Sequence, residues 1–438
     1  MARARAADGH PVQVALIGAG KFGSMFLAQV PTTPGIEVSV IVDLSPARAR
    51  AACKNVGWDD ARITATRFIT TLRELNELDG IEVVVEATGD PVAGISHALT
   101  AIAAGCHIVM VNVEADVLAG PLLASRADDA GVVYSLAYGD QPSLICELVD
   151  WARTCGFPIV AAGKGTRYLP HFHESTPSDV WRNRGVDPEA ARKGGMNAQM
   201  FNSFIDGTKS SIEMAAVANA TGLNAASGGL QFIPCSAADL PRMLRPNQDE
   251  HHQQQEGRVE VVSSVWRDGS VIPGNLRWGV YVVFRAPNAY SKRCFGEYGM
   301  VTDESGEYAA LYRPYHLIGL ELNVSIFSAV FRREATGRPT CFHADVVATA
   351  KRDLLIAEML DGEGGYTVWG KLVPASDSLK LGGLPIGLAN SVKVCRPVAK
   401  GQILTWDDVE IDKVEKTYLF RREMETGAVQ SIQMAPSG

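Results

Sequence analysis

The chain has 438 residues, 46% hydrophobic and 21% charged, a length and composition suited to burying the cores of about two to four domains. Its formal net charge of −8 argues against nucleic acid or an anionic membrane as the main partner, because both reward a basic face. No apolar run is long enough to span a bilayer, and no apolar stretch follows Arg3 and Arg5. The eight cysteines form no CxxC pair, so a cytoplasmic protein with reduced thiols is expected.

Val12 to Ile17 is a short apolar run ending at a glycine cluster and reads as a buried parallel strand. Lys21 to Val30 carries a helical pattern, and Glu37 to Val42 is a second strand. Pro46 to Asn55 reads as a helix with Ser45 as its N-cap and Pro46 at the first helical position. Ile81–Glu86, His107–Val111 and Val132–Leu136 are further strands, with helix-like segments at Val92–Ala104 and Pro121–Ala130. This alternation predicts an α/β fold, a doubly wound parallel sheet over residues 1–150.

Beyond residue 150 the rhythm changes. The strand Pro158–Ala162 leads into Gly163-Lys164-Gly165, and a polar stretch with little periodicity runs from Thr166 to Asn197. Met200–Ala220 reads as one long helix. Gln248–Gly257, with His251 and His252, reads as a low-complexity mobile loop. Strands dominate Val259–Phe284. The expected divisions are an α+β domain at 151–340 and a glycine-rich unit of short strands at 341–438.

Gly18-Ala19-Gly20-Lys21-Phe22-Gly23 is a G-x-G-x-x-G placed between a strand and a helix, the context that gives the pattern physical meaning. Gly18 makes the turn, Gly20 lets a pyrophosphate approach, and Gly23 allows helix and strand to pack closely. Asp43, 20 residues beyond Gly23, stands where a carboxylate would bond the ribose 2′-hydroxyl. Its charge would repel a 2′-phosphate, so NAD is favoured over NADP, although Arg48 and Arg50 lie nearby. Thr88, Gly89 and Asn112 lie at strand carboxyl ends and complete the expected cofactor-binding set with Lys21 and Phe22. The ordinary alternative is a glycine-rich turn in an unrelated α/β domain.

The Rossmann half, Asn112-Val113-Glu114 and Phe204-Ile205-Asp206-Gly207-Thr208-Lys209 resemble the homoserine dehydrogenase superfamily. Asn112–Val117, Ala162–Gly165, Phe204–Gly222 and Tyr312–Leu317 resemble the 1-deoxy-D-xylulose 5-phosphate reductoisomerase-like group within it. Residues from about 341 to 412 resemble a SAF domain, a small β-clip module. The resemblance implies an NAD(P)-dependent oxidoreductase with a catalytic and dimerisation domain after the Rossmann domain, and a homo-oligomer. Its substrate would be a small polar hydroxy-carbonyl compound, phosphorylated ones included, and reductoisomerase chemistry falls within the same expectation. Glu114 stands where homoserine dehydrogenases carry lysine, which argues against homoserine. The segment Thr166–Glu174 departs from the reductoisomerase-like pattern.

Reducing a carbonyl requires a proton donor and a charge that polarises the oxygen. Lys164, between two glycines that would let a ligand approach the backbone, is one candidate; Asp206 and Lys209, on one face if the helix has begun, are a second. Glu213 would extend that face, tune Lys209 and contact substrate. Glu114 would act as base or substrate ligand. Arg313, Tyr315 and His316 would bind a phosphate, carboxylate or hydroxyl of the substrate. For each the bland reading is a solvated or structural side chain. His171, His173 and Glu174 form a minor candidate for a divalent metal, which requires an extended segment, and no metal ligand is assigned. The alternatives to an oxidoreductase are a non-catalytic NAD-sensing or SAF ligand-binding protein, and a redox-neutral enzyme with tightly bound NAD.

Overall fold

A computed structural model describes residues 1–72, 80–193, 196–246 and 257–434. It divides into two compact units, one of residues 1–146 and 316–340 and the other of residues 147–315 and 341–438.

The first unit holds six strands: β1 (Val12–Ile17), β2 (Ile36–Val42), β3 (Arg67–Ile69), β4 (Val83–Glu86), β5 (His107–Met110) and β6 (Tyr134–Leu136). They pair in parallel in the order β3-β2-β1-β4-β5-β6, the Rossmann order. Apolar residues on one face of these strands, among them Val14, Leu16, Val83, Val85 and Val109, build a core with Phe26 and Leu27 from the first crossover helix and Leu322 and Ile326 from the returning segment. The helix Pro46–Asn55 begins as its sequence predicts, with the Ser45 side chain accepting from the Arg48 amide. Strand β3 goes beyond the five strands expected from sequence; it has only three residues, too few to carry a period. The helix expected from Pro121 starts at Val113 and runs to Asp129, with Pro121 inside it.

In the second unit, β7 (Ile159–Thr166), β8 (Ile233–Pro234), β9 (Arg258–Ser263), β10 (Val280–Arg285), β11 (Val301–Thr302) and β12 (Tyr308–Arg313) form a mixed sheet in the order β11-β12-β10-β7-β9-β8. The helix Thr208–Thr221 packs on β7 and β9, and on β13 (Ala344–Ala350) and β15 (Val368–Pro374). Having sheet on two sides explains why nearly all of its residues are buried and no polar face shows in its sequence. β13 and β15 pair antiparallel. A three-stranded sheet joins β14 (Met359–Asp361), β16 (Asn390–Val394) and β17 (Val409–Glu410). The terminal helix Lys416–Met434 is anchored by the fully buried Arg421, which donates to Asp345 at 2.7 Å and to Glu425 at 2.8 Å.

The single helix expected over Met200–Ala220 is two, Ala198–Ser203 and Thr208–Thr221. Gly207, at φ +90, breaks them, a conformation that favours glycine. The loop expected at Gln248–Gly257 lies outside the described residues except for its last glycine. No described helix is long and apolar enough to cross a membrane.

Candidate functional site

The glycine turn after β1 is shaped as a nucleotide cradle. Gly18 adopts φ +93, and a Cβ there would lie 2.7 Å from the carbonyl oxygen of Ala87. A Cβ on Gly23 would collide with the Gly18 carbonyl, so this glycine sets how closely helix and strand pack. Around Gly20 a Cβ would meet nothing within 4 Å, leaving open space at the helix start. The helix Lys21–Gln29 has Gly20 as its N-cap and no side-chain cap, so Lys21, Phe22 and Gly23 begin a helix terminus suited to a pyrophosphate. The residues present therefore fit a dinucleotide.

Asp43 directly follows β2 and is buried. It accepts from the Ala19 amide at 3.1 Å, from the Ser45 amide at 2.9 Å and from Arg48 at 2.9 Å. Its carboxylate thus braces the glycine turn from below, and Arg48 is its ion-pair partner. The expected border residues form a local network. Thr88 donates to Glu86 at 2.5 Å, and Asn112 donates to the Asp90 carbonyl at 2.7 Å. Asn112 also caps the next helix by accepting from the Ala115 amide, with Glu114 half-buried in that helix's first turn. Gly89 takes φ +73 in the turn between them.

In the second unit, Lys164 lies within β7 rather than in a loop after it, in register with Val280 of β10 and Val261 of β9. Its flanking glycines serve the neighbouring backbone rather than a ligand: a Cβ on Gly163 would strike the Glu260 carbonyl and one on Gly165 the Leu276 carbonyl. The Lys164 ammonium pairs with the Glu213 carboxylate from the helix Thr208–Thr221. Both side chains are buried, and the ammonium has no other partner among the described residues. Glu213 therefore serves Lys164 and not Lys209, which is half-buried in the first helical turn.

Asp206 precedes the helix, so it shares no helical face with Lys209. One carboxylate oxygen accepts from the Thr208 amide at 2.9 Å, and the other pairs with Lys351 at 2.8 Å. Lys351 also donates to the carbonyls of Ser175 at 2.7 Å and Gly365 at 2.6 Å. The ammonium is thereby held by two carbonyls and one carboxylate, and the Asp206–Lys351 ion pair is a buried clamp. The sequence reading missed Lys351; the one available signal was a lysine directly following the apolar strand β13.

Pro170–Glu174 is a 3-10 turn, not the extended segment that a His-x-His metal site needs. His171 is exposed, whereas both nitrogens of His173 are bonded, Nδ1 to the Asp206 carbonyl at 2.7 Å and Nε2 to the Tyr168 hydroxyl at 2.8 Å. Nδ1 must donate to a carbonyl, and in the neutral ring Nε2 accepts from the Tyr168 hydroxyl. Burial pushes its pKa below the ordinary histidine value. The ring stacks on Trp369 with centroids 3.8 Å apart, beside a cavity of about 350 Å³ lined also by Ser211, Phe232, Lys351 and Lys371. Neither Lys164 nor Glu213 lines this cavity, so their chemistry rests on the geometry of the pair itself. Arg313, at the end of β12, lies 5.0 Å over the exposed Tyr315 ring, and His316 is half-buried.

Residues 139–322 match the family model of the oxidoreductase DRL catalytic domain, and residues 12–111 that of the oxidoreductase-family NAD-binding Rossmann fold. No curated protein matches the chain. Among solved structures, the oxidoreductase yvaA of Bacillus subtilis is similar at 15% identity and TM-score 0.37, over 74% of this chain and 89% of that one. A homoserine dehydrogenase from Thiobacillus denitrificans is similar at 19% identity and TM-score 0.36, over 49% of each chain. A myo-inositol dehydrogenase from Corynebacterium glutamicum is similar at 13% identity and TM-score 0.29, over 40% of this chain. The chain spans about half the length of the last two, 49% in each case. By its two family matches the chain is an NAD(P)-dependent oxidoreductase, with an NAD-binding Rossmann domain of the oxidoreductase family and a DRL-type catalytic domain.

Proposed function

We propose that the protein reduces, or in reverse forms, the carbonyl group of a small polar hydroxy-carbonyl compound, and that Lys164 is its proton donor. The observation that carries this reading is the buried Lys164–Glu213 pair, whose ammonium has N–H bonds left for a substrate oxygen. In a water-poor setting such a donor acts strongly on developing negative charge.

The glycine turn and the start of the helix Lys21–Gln29 would hold the pyrophosphate, and Asp43 would accept from the ribose 2′-hydroxyl. The Asp43 charge opposes a 2′-phosphate, which favours NAD over NADP. A bound nicotinamide supplies or accepts the hydride. Lys164 gives its Nζ proton to the carbonyl oxygen as the alcohol forms, and takes it back in the reverse direction. Glu213 holds Nζ in place. Asp206 keeps a positioning role through Lys351 and the first turn of the helix that carries Glu213.

The resemblance to the reductoisomerase-like group makes 1-deoxy-D-xylulose 5-phosphate the first substrate to test. Residues 341–438 are taken as a SAF-like module. A panel of that compound and other hydroxy-ketones, aldehydes and sugar acids, each with NADH and with NADPH, tests the reading by loss of cofactor absorbance. Oxidation with at least one member, faster with NADH, is expected. No oxidation across the panel would sink it.

A further inference from the structure

The cavity beside His173 carries an uncompensated cation on its wall. It lies between the helix Thr208–Thr221 and the strands β13 and β15, and its volume of about 350 Å³ falls within the range of about 300–1,000 Å³ that small-molecule sites occupy. Three lysines line it. Lys351 is paired with Asp206, and Lys400 with Glu174. Lys371, half-buried on β15, has no ion pair or hydrogen bond for its ammonium among the described residues. Its stem runs against Gly229, where a Cβ would lie 3.1 Å from the Lys371 Cε. Gly229 adopts φ +87, so glycine at this turn supplies both the conformation and the space for that stem. Burial is the main cause of the lowered His173 pKa, and the charges of Lys351 and Lys371 add to it.

The rest of the wall suits a flat organic body. Stacking on His173 occupies one face of the Trp369 ring, and the indole still borders the cavity. Phe232 adds a second aromatic wall. It holds φ +51, a costly conformation for a bulky residue, fixed where Glu260 accepts from the amides of Gln231 at 3.0 Å and Phe232 at 3.4 Å. On the helix side, the buried Ser211 turns a hydroxyl to the cavity that bonds no described residue. One ammonium and one hydroxyl match the two oxygens of a carboxylate, and a single uncompensated charge matches a monoanion rather than a dianion. We propose that this cavity binds a small organic monocarboxylate with a flat apolar body, the carboxylate on Lys371 and Ser211 and the body against Trp369 and Phe232. The site stands apart from the proton-donor pair, since neither Lys164 nor Glu213 lines it.

The test is calorimetric titration of the full chain with benzoate, with benzamide, which keeps the shape and lacks the charge, and with inorganic phosphate, which has charge and no apolar body. Wild type is expected to bind benzoate, and the other two more weakly by about tenfold or more. Lys371→Met should weaken benzoate binding by about tenfold or more while its thermal unfolding midpoint without ligand stays that of wild type. Ser211→Ala should cause a smaller loss, and Lys371→Arg, which keeps the charge, should retain part of the affinity. Lys164→Met should bind benzoate as wild type does while losing turnover, which separates this inference from the proton-donor reading. No binding of benzoate by wild type, or equal binding by Lys371→Met, would overturn the site. Phosphate or benzamide bound as tightly as benzoate would overturn the class of ligand assigned to it.

Discussion

The ammonium of Lys164, on the central strand β7, is directed at the carboxylate of Glu213 on the helix that covers the sheet, with both side chains almost fully buried. Two charges taken out of water in this way give little net stability, but breaking such a pair leaves one of them uncompensated. Lys164→Met is expected to lower kcat by about 10²–10⁴ while nicotinamide binding is unchanged. Glu213→Gln keeps the shape and loses the charge. It should lower kcat less, and Glu213→Ala should add a stability loss of about 3–5 kcal/mol in denaturant titration.

Two glycines of the same motif should fail in different ways. A side chain at Gly20 enters open space, so Gly20→Val should leave the unfolding midpoint unchanged and abolish NADH binding measured by fluorescence. Gly23→Ala drives a methyl into the Gly18 carbonyl and should cost stability even without cofactor, on the order of 1–3 kcal/mol. Equal thermal stability of the two variants would contradict this division of roles.

Lys351→Met leaves the buried Asp206 carboxylate without its cation and frees the Gly365 carbonyl, while the Ser175 carbonyl keeps the hydrogen bond donated by Asn202. A destabilisation of about 3–5 kcal/mol is expected from chemical denaturation. The double variant with Asp206→Asn should recover part of it, because the orphaned charge is gone.

Asp116 is fully buried, and burial raises its pKa to about 7, although the hydrogen bond donated by Tyr134 at 2.9 Å opposes the shift. An acid with a raised folded-state pKa makes the folded protein hold more protons than the unfolded chain between about pH 4 and 7. Stability contributed by this group is therefore present below about pH 4 and is lost as pH rises to 7. Asp116→Asn keeps an acceptor for Tyr134 and should flatten that part of the stability-versus-pH curve. An unaltered slope would count against the buried charge.

The nucleotide half was legible in sequence because its signals are local. Buried parallel strands appear as continuous apolar runs, and the turn needs glycine at fixed offsets, so Gly18, Gly20, Gly23 and the Ser45 cap could be read directly. The chemistry of the second unit was not legible in the same way. Lys164 meets Glu213, and Asp206 meets Lys351, only after distant segments pack. The supposed shared face of Asp206 and Lys209 failed because Gly207 delays the helix to Thr208. The glycines around Lys164 looked like a ligand-binding loop, but they let neighbouring backbone crowd against β7.

The most direct test of the central claim is single-turnover oxidation of NADH and NADPH with 1-deoxy-D-xylulose 5-phosphate, run on wild type and on Lys164→Met at saturating cofactor. The account predicts oxidation by wild type and a rate lower by about 10²–10⁴ in the variant, with cofactor affinity the same in both. Equal rates in the two proteins would contradict the assignment of Lys164 as proton donor.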